Sequence, residues 1–420
     1  MNDIFSGFYK LTSDERLERV KKHAQLTDEE AALLKNSGAL AMDRADKMVE
    51  NVIGAVHLPM GLATNFRING RELVIPMALE ESSVIAAASK AAKQSLPEGF
   101  KAEADEPIMI GQIQLTEIED VNAAMKNLEL NRKEILGIAQ GFMKNHEKYG
   151  CGVRGFHSRL IETERGHMVI VDFQVNVGDA QGANMVNTLL ENISPTISQL
   201  GGGKARLRIV SNLATLRKAR ASAVWKKDLI GPDAVEGILD AYEFAKHDVY
   251  RCATHNKGIM NGIDAVAMAC GNDWRSVEAG AHAYAALGHY KPLTHYYKNE
   301  NGDLVGSIEL PLAVAAVGPA ISGSPTAKIA LKIMGVKSSR ELAMAMASVG
   351  LANNVAALAA LSTVGIQQGH MKLHGRNIAV YAGATSDEAE KVADELSKEK
   401  NFSVERAKEV LADLRKSRSP

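Results

Sequence analysis

The sequence predicts an α+β protein: a large, mainly helical domain, a ferredoxin-like α+β domain inserted within it, and a C-terminal helical flap. Helical patterning dominates before residue 105 and resumes after 213. Between them the order is strand, helix, strand, strand, helix, strand, the split βαββαβ pattern. Beyond 365 lie two charged helices with few large apolar residues facing one another, which predicts a loosely attached flap. The expected division is 1–105 with 213–364, then 106–212, then 365–420, and 420 residues suffice for two or three cores.

The individual elements rest on local signals. Thr27-Asp-Glu-Glu30 is a capping box that opens a helix, and a second helix is expected from Asp43 to Ile53. Phe66, Ile68, Leu73 and Ile75 flank Asn69-Gly70, a strong hairpin signal. Val84-Ile-Ala-Ala-Ala-Ser-Lys-Ala-Ala92 reads as a small-residue helix able to pack closely. In the inserted unit we expect a strand at 108–115, a long helix at 121–148, strands at 153–162 and 167–177, a helix at 182–200 and a strand at 205–210. Glu164-Arg-Gly166 turns its central hairpin, and Gly201-Gly-Gly203 ends its second helix. Helices follow at 233–246, 256–269, 274–287 and 339–364, interrupted by a hairpin around 299–303. The flap begins with a short strand, 377–382, before helices at 386–398 and 403–416.

Composition excludes several classes. A net charge of −1 gives no general attraction to nucleic acid or anionic membrane, and 5% aromatic residues offer few bases a stacking partner. Three distant cysteines, Cys151, Cys252 and Cys270, suit a reducing compartment and form no CxxC pair. The N-terminus lacks the basic and apolar regions of a signal peptide. The expectation is a cytoplasmic protein that engages neither membrane nor nucleic acid.

The densest chemistry lies in Arg251-Cys-Ala-Thr-His-Asn-Lys-Gly-Ile-Met-Asn-Gly-Ile-Asp264 and Gly271-Asn-Asp-Trp-Arg275. On a helix Lys257, Asn261 and Asp264 share one face, and Gly258 and Gly262 would leave backbone bare for a ligand; a solvated face is the alternative. Lys257 as an ammonium can stabilise an oxyanion, with Asp273 holding it charged. A Schiff base would need a depressed lysine pKa, which a neighbouring carboxylate opposes. Glu81, opening a helix between apolar segments, is either a simple N-terminal charge or a desolvated general acid.

Gly178-Asp-Ala-Gln-Gly-Ala-Asn184 joins a strand to a helix, where N–H groups and the helix dipole bind phosphate, as a dinucleotide requires. It lacks GxGxxG, so an ordinary strand-to-helix turn stays open, while Asn184 and Asn187 add amide donors. The Arg217-Lys-Ala-Arg220 cluster is a solvated face or a partner for coenzyme phosphates. His370-Met-Lys-Leu-His374 lacks the glutamate of HExxH and a third ligand, so no metal is expected. A histidine on a flap, with an ordinary pKa of about 6.5, can deliver a proton or simply be solvated.

In order, Glu81, Gly178–Asn184, Thr254–Ile263, Asn272–Arg275 and Gly369-His-Met371 match the motifs of 3-hydroxy-3-methylglutaryl-coenzyme A reductases. The chain resembles the second class of that family, the soluble bacterial and archaeal form, from Met42-Asp and Glu50-Asn-Val-Ile-Gly54 through the flap. The resemblance implies reduction of a coenzyme A thioester to mevalonate with two hydrides from NADPH or NADH, coenzyme A being released between them. It further implies Glu81 as proton donor to the carbonyl oxygen, Lys257 as oxyanion stabiliser, Asp273 as its partner and His370 as donor to the departing thiolate. Ser83, Arg251, Asn261 and Asn354 would contact the hydroxymethylglutaryl group, and Asp179, Gly182 and Asn184 the dinucleotide. It also implies an active site at a homodimer interface, in a dimer or an assembly of dimers.

Three positions depart from the family pattern: Gln181 replaces methionine, Ser82 replaces a proline, and no acidic residue stands near Gly141–Met143. The last favours NADPH, since a carboxylate on the ribose 2′-hydroxyl selects NADH. Other readings are mevalonate oxidation by the same site, a coenzyme A acyltransferase or lyase using Cys252, and a coenzyme A or dinucleotide sensor.

Overall fold

In the computed structural model residues 5–36, 40–363 and 375–416 are described. Two sheets organise them. The first has six strands in the order β2-β1-β3-β8-β10-β9: β1 Met60–Ile68, β2 Arg71–Ala78, β3 Phe100–Ala104, β8 Lys218–Trp225, β9 Thr294–Lys298 and β10 Leu304–Pro311. Its pairs are antiparallel except β1 with β3, which touch at Ile68 and Phe100. Asn69 (φ 49°) and Gly70 (φ 80°) are both left-handed, the conformation of the tight turn that their sequence predicts.

The large unit is helix-rich as expected, and two strands of this sheet, β3 and β8, were not predicted. Strands β3 and β8 carry alanine and charge where large β-branched residues would announce a strand. Their period is nevertheless two: Ala219, Ala221, Ala223 and Trp225 of β8 are buried and the intervening residues are not. Small side chains are needed because the helix Ser339–Ser362 packs on β8, β3 and β10. That helix is long and apolar enough to cross a membrane, yet 78% of its most apolar window is buried inside the protein.

Ser339–Ser362 also packs along the helix Val249–Ala269. Their approach depends on Gly262, where a Cβ would overlap Asn353 Oδ1 and lie 2.8 Å from Val349 Cγ1. Gly262 therefore serves helix packing and not ligand access, contrary to the sequence expectation, whereas Gly258 faces open space.

The second sheet has the order β5-β6-β4-β7, from β4 Ile108–Thr116, β5 Gly152–Thr163, β6 Gly166–Asn176 and β7 Lys204–Val210. With its helices it gives the predicted βαββαβ sequence. The long helix expected at 121–148 divides at Asn131 (φ −97°, ψ 15°), whose side-chain amide bonds the Asn127 carbonyl at 2.8 Å. A 3-10 segment, Lys144–Tyr149, then stops at Gly150. Leu128, Ile135, Phe173, Val186 and Leu190 are among the buried residues of its core.

Two further expectations change. Only Met42–Ala45 is helical in the expected helix 43–53, and Ile53 and Val56 are 99% and 94% exposed, so no burial supports a longer helix. Residues 375–381 are helical and not a strand: the Ala382 N–H bonds the Ile378 carbonyl. Ile378, Val392, Leu396 and Leu411 belong to a small core of this C-terminal unit.

Candidate active site

Glu81 stands in the turn between β2 and the helix Val84–Gln94, and Lys257 projects from the third turn of Val249–Ala269. The fold brings these residues, 176 apart in sequence, into an ion pair, Lys257 Nζ to Glu81 Oε2 at 3.1 Å. Their side chains are 58% and 39% exposed, so within one chain Glu81 lacks the enclosed apolar setting its neighbours suggested. Ser83 lies two residues on, left-handed at φ 72°. A serine held in that conformation marks local strain, which concentrates at functional turns.

Asp273 caps the helix Trp274–Ala285, accepting from Ser276 N–H at 3.4 Å and Arg275 Nε at 3.1 Å. Its charged partner among the described residues is thus Arg275, while Lys257 pairs with Glu81. Asn272 supports this corner through both ends of its amide, accepting from Ala315 N–H at 2.6 Å and donating to Ala315 O at 3.1 Å. The Gln181 amide donates to Ser276 Oγ at 2.8 Å, linking the 178–184 loop to the helix that Asp273 caps.

Of the expected substrate contacts, Asn261 is half-buried one turn beyond Lys257. Arg251 is half-buried at the start of the same helix, and burial lowers its guanidinium pKa from the ordinary value. Asn354 is 1% exposed in this chain: its carbonyl accepts from Thr294 Oγ1 (3.1 Å) and Tyr296 OH (2.8 Å), and its NH2 donates to His255 O (3.3 Å). It braces the lysine helix from inside the core. Asp264 turns from Lys257 toward Glu278; burial, then the Glu278 charge, push its carboxyl up to about 8. Cys252 is fully buried, and burial pushes its thiol up to about 11, which removes the nucleophile an acyltransferase would need.

The 178–184 loop suits an anion. Gly178 (φ 59°) and Gly182 (φ 97°) are left-handed, and a Cβ at Gly182 would lie 2.5 Å from Val177 Cγ1, so the chain closes tightly there. The 19-residue helix that follows, Ala183–Gly201, has no acidic residue in its first turn, leaving its positive end uncompensated. Asn184 is exposed at this end. Asn187 is not turned to it: its Oδ1 accepts from Val210 N–H at 2.9 Å and anchors β7. The Asp179 carboxylate accepts from Ser339 N–H at 2.7 Å, tying the loop to the large unit. His370 lies outside the described residues.

A lysine paired with a carboxylate, beside a glycine turn and an uncompensated helix N-terminus tied to the same framework, is an arrangement suited to an oxidoreductase that acts on a carbonyl. The sequence matches the family described as hydroxymethylglutaryl-coenzyme A reductase over residues 12–375. It is 50% identical to 3-hydroxy-3-methylglutaryl-coenzyme A reductase of Archaeoglobus fulgidus over 417 residues, covering 99% of this chain and 95% of the relative. A probable 3-hydroxy-3-methylglutaryl-coenzyme A reductase of Borreliella burgdorferi is 35% identical, covering 79% and 77%. The fold superposes on the Streptococcus pneumoniae 3-hydroxy-3-methylglutaryl-coenzyme A reductase with TM-score 0.83 at 38% identity, covering 98% of this chain and 99% of that one. It superposes on the same organism's class II enzyme, bound to NADPH in open conformations, with TM-score 0.81, covering 96% and 100%. The chain belongs to the hydroxymethylglutaryl-coenzyme A reductase family, whose reaction converts 3-hydroxy-3-methylglutaryl-coenzyme A to mevalonate and free coenzyme A.

Sequence reading missed Asn353, the bond of motif residue Asn272 to Ala315, and the Gln181–Ser276 contact. Each acts through a partner distant in the chain, and a lone buried amide carries no periodic signal. Arg217 was visible only as part of a basic cluster.

Proposed function

We propose that this chain reduces the thioester at the Glu81–Lys257 pair, using NADPH held at the 178–184 loop. The carrying observation is the 3.1 Å contact between Lys257 and Glu81. Lys257, as an ammonium, neutralises negative charge that develops on the thioester carbonyl oxygen, and Glu81 gives that oxygen its proton. Asp273, on the neighbouring helix cap, adds negative charge that favours the ammonium form of Lys257. His370 protonates the departing coenzyme A thiolate. Ser83, Arg251 and Asn261 orient the hydroxymethylglutaryl group, Arg251 offering a half-buried guanidinium suited to its carboxylate.

The N–H groups from Gly182 to Asn184, and the Asn184 amide, hold the coenzyme phosphates, as supported by the tight glycine turn and the uncompensated helix end. Two nicotinamide dinucleotides held there in succession would each supply one hydride of the four-electron reduction. The segment Gly141–Met143 lacks an acid to claim a ribose 2′-hydroxyl, which favours NADPH over NADH. The exposed apolar run through Met48, Val49, Ile53, Val56 and Leu58 supports a homodimer that covers it and encloses the Glu81 region. Buried free cysteines support a reducing, cytoplasmic setting.

The test follows nicotinamide absorbance and free thiol together on 3-hydroxy-3-methylglutaryl-coenzyme A. Two coenzymes oxidised per thiol are expected from the native chain, with NADPH faster than NADH. Lys257→Ala should lower kcat by several orders of magnitude while the protein remains folded; native turnover in that variant would refute the assignment.

A further inference from the structure

Arg217, immediately before β8, is only 4% exposed. Its guanidinium reaches under the 178–184 loop, donating through Nη1 to the carbonyls of Ala180 and Gln181, both at 3.2 Å, and through Nη2 to the carbonyl of Val314. No carboxylate among the described residues hydrogen-bonds it. Asp179, whose charge acts on it, is committed to the Ser339 N–H. Burial pulls the guanidinium down to about 10, so it stays charged near neutrality. A buried charge satisfied only by carbonyl dipoles is costly to retain and asks for a reason beyond packing.

The geometry supplies one. A trans peptide is planar, with its N–H opposite its C=O. Carbonyls of Ala180 and Gln181 drawn inward to Arg217 therefore turn the N–H groups of Gln181 and Gly182 outward. No hydrogen bond among the described residues claims those two N–H groups. They precede the first turn of Ala183–Gly201, whose own free N–H groups lie along the helix axis. Gly182, left-handed against Val177, permits the sharp turn this requires.

We infer that Arg217 is the positioning residue of the coenzyme site: it pulls two loop carbonyls inward, presents the Gln181 and Gly182 N–H groups to a phosphate, and adds its charge beneath that phosphate. The inference rests on the reading of this loop as the coenzyme site. Arg217 itself touches no coenzyme atom. Lysine in its place keeps the charge but not the planar fork that spans separate carbonyls.

Binding of NADPH and NADH to native protein, Arg217→Lys and Arg217→Met, followed by nicotinamide fluorescence, tests this without turnover. Arg217→Lys should weaken binding of the preferred coenzyme about tenfold and Arg217→Met about a hundredfold or more, as expected for losing one or more hydrogen bonds to a charged group. Affinity for the thioester should change less than twofold. Native binding of a coenzyme with an unchanged Kd in folded Arg217→Lys would overturn the inference while leaving the coenzyme reading intact. Equal weakening of coenzyme and thioester would also overturn it, as a general structural role. Failure of native protein to bind either coenzyme would overturn the coenzyme reading and this inference with it. Should the variants not fold, hydrogen exchange on native protein decides: saturating NADP+ should protect the Gln181 and Gly182 amides, and no added protection there refutes the assignment.

Discussion

Gly258 and Gly262 sit one turn apart on the lysine helix, and alanine should have opposite effects at the two. At Gly258 a Cβ meets nothing within 4 Å, so Gly258→Ala exchanges a poor helix former for a good one and should stabilise by about 0.5–1 kcal/mol. At Gly262 the same atom would overlap Asn353 Oδ1 and press Val349 Cγ1. Neither neighbour is the free end of a flexible chain: Asn353 is buried and its NH2 donates to Val84 O at 2.9 Å. Overpacking costs about 1–3 kcal/mol, and displacing the Asn353 bond adds about 1 kcal/mol. Gly262→Ala should therefore destabilise by about 2–4 kcal/mol.

The Val84 bond carries the disturbance toward the catalytic turn, since Val84 begins the helix that Glu81–Ser83 leads into. Gly262→Ala should thus separate Glu81 from Lys257 and lower kcat at least tenfold, a misplacement effect on reacting groups. Thermal melts and kcat on the purified variants read both effects. A Gly262→Ala protein that melts with native protein, or a pair of variants that shift together, would refute the claim that Gly262 is a packing glycine.

Asp264 should give stability a distinct pH dependence. Its folded pKa, near 8, lies above the ordinary carboxyl value of 3.8, so the unfolded chain ionises first as pH rises. The resulting loss of stability runs from about pH 4 and is complete above pH 8. Asp264→Asn should lose less stability than native protein between those limits, which urea titrations at several pH values would detect; parallel curves would count against it. Gln181→Met and Ser276→Ala should each slow turnover severalfold and, combined, slow it no further than either alone, because both remove one hydrogen bond. Additive losses would deny the link. Cys252→Ser should keep most thioester reduction, and its loss would reopen a role for the thiol. Ile53→Asp should give a monomer by light scattering, with turnover lost; an active monomer would contradict an interfacial site.

Much of this protein was written in local pattern. The Asn69-Gly70 turn, the capping box at Thr27 and the βαββαβ order are signals within a few residues of the elements they specify, so the sequence alone determined them. The candidate chemistry was legible for a similar reason: Lys257, Asn261 and the Gly178–Asn184 turn gather in short segments whose polar residues exceed what a surface helix or ordinary turn requires. Tertiary structure decided what depends on distant partners. Burial around the helix Ser339–Ser362 makes strands of the alanine-rich β3 and β8, whose propensities do not announce them. Distant partners also hold residues that sequence placed near the ligand: Thr294 and Tyr296 bond Asn354 in the core, Val210 bonds Asn187, and Asn353 makes Gly262 a packing contact. Chain periodicity records which face of an element is buried; the atom that meets a given side chain is set only when elements far apart in sequence close upon one another.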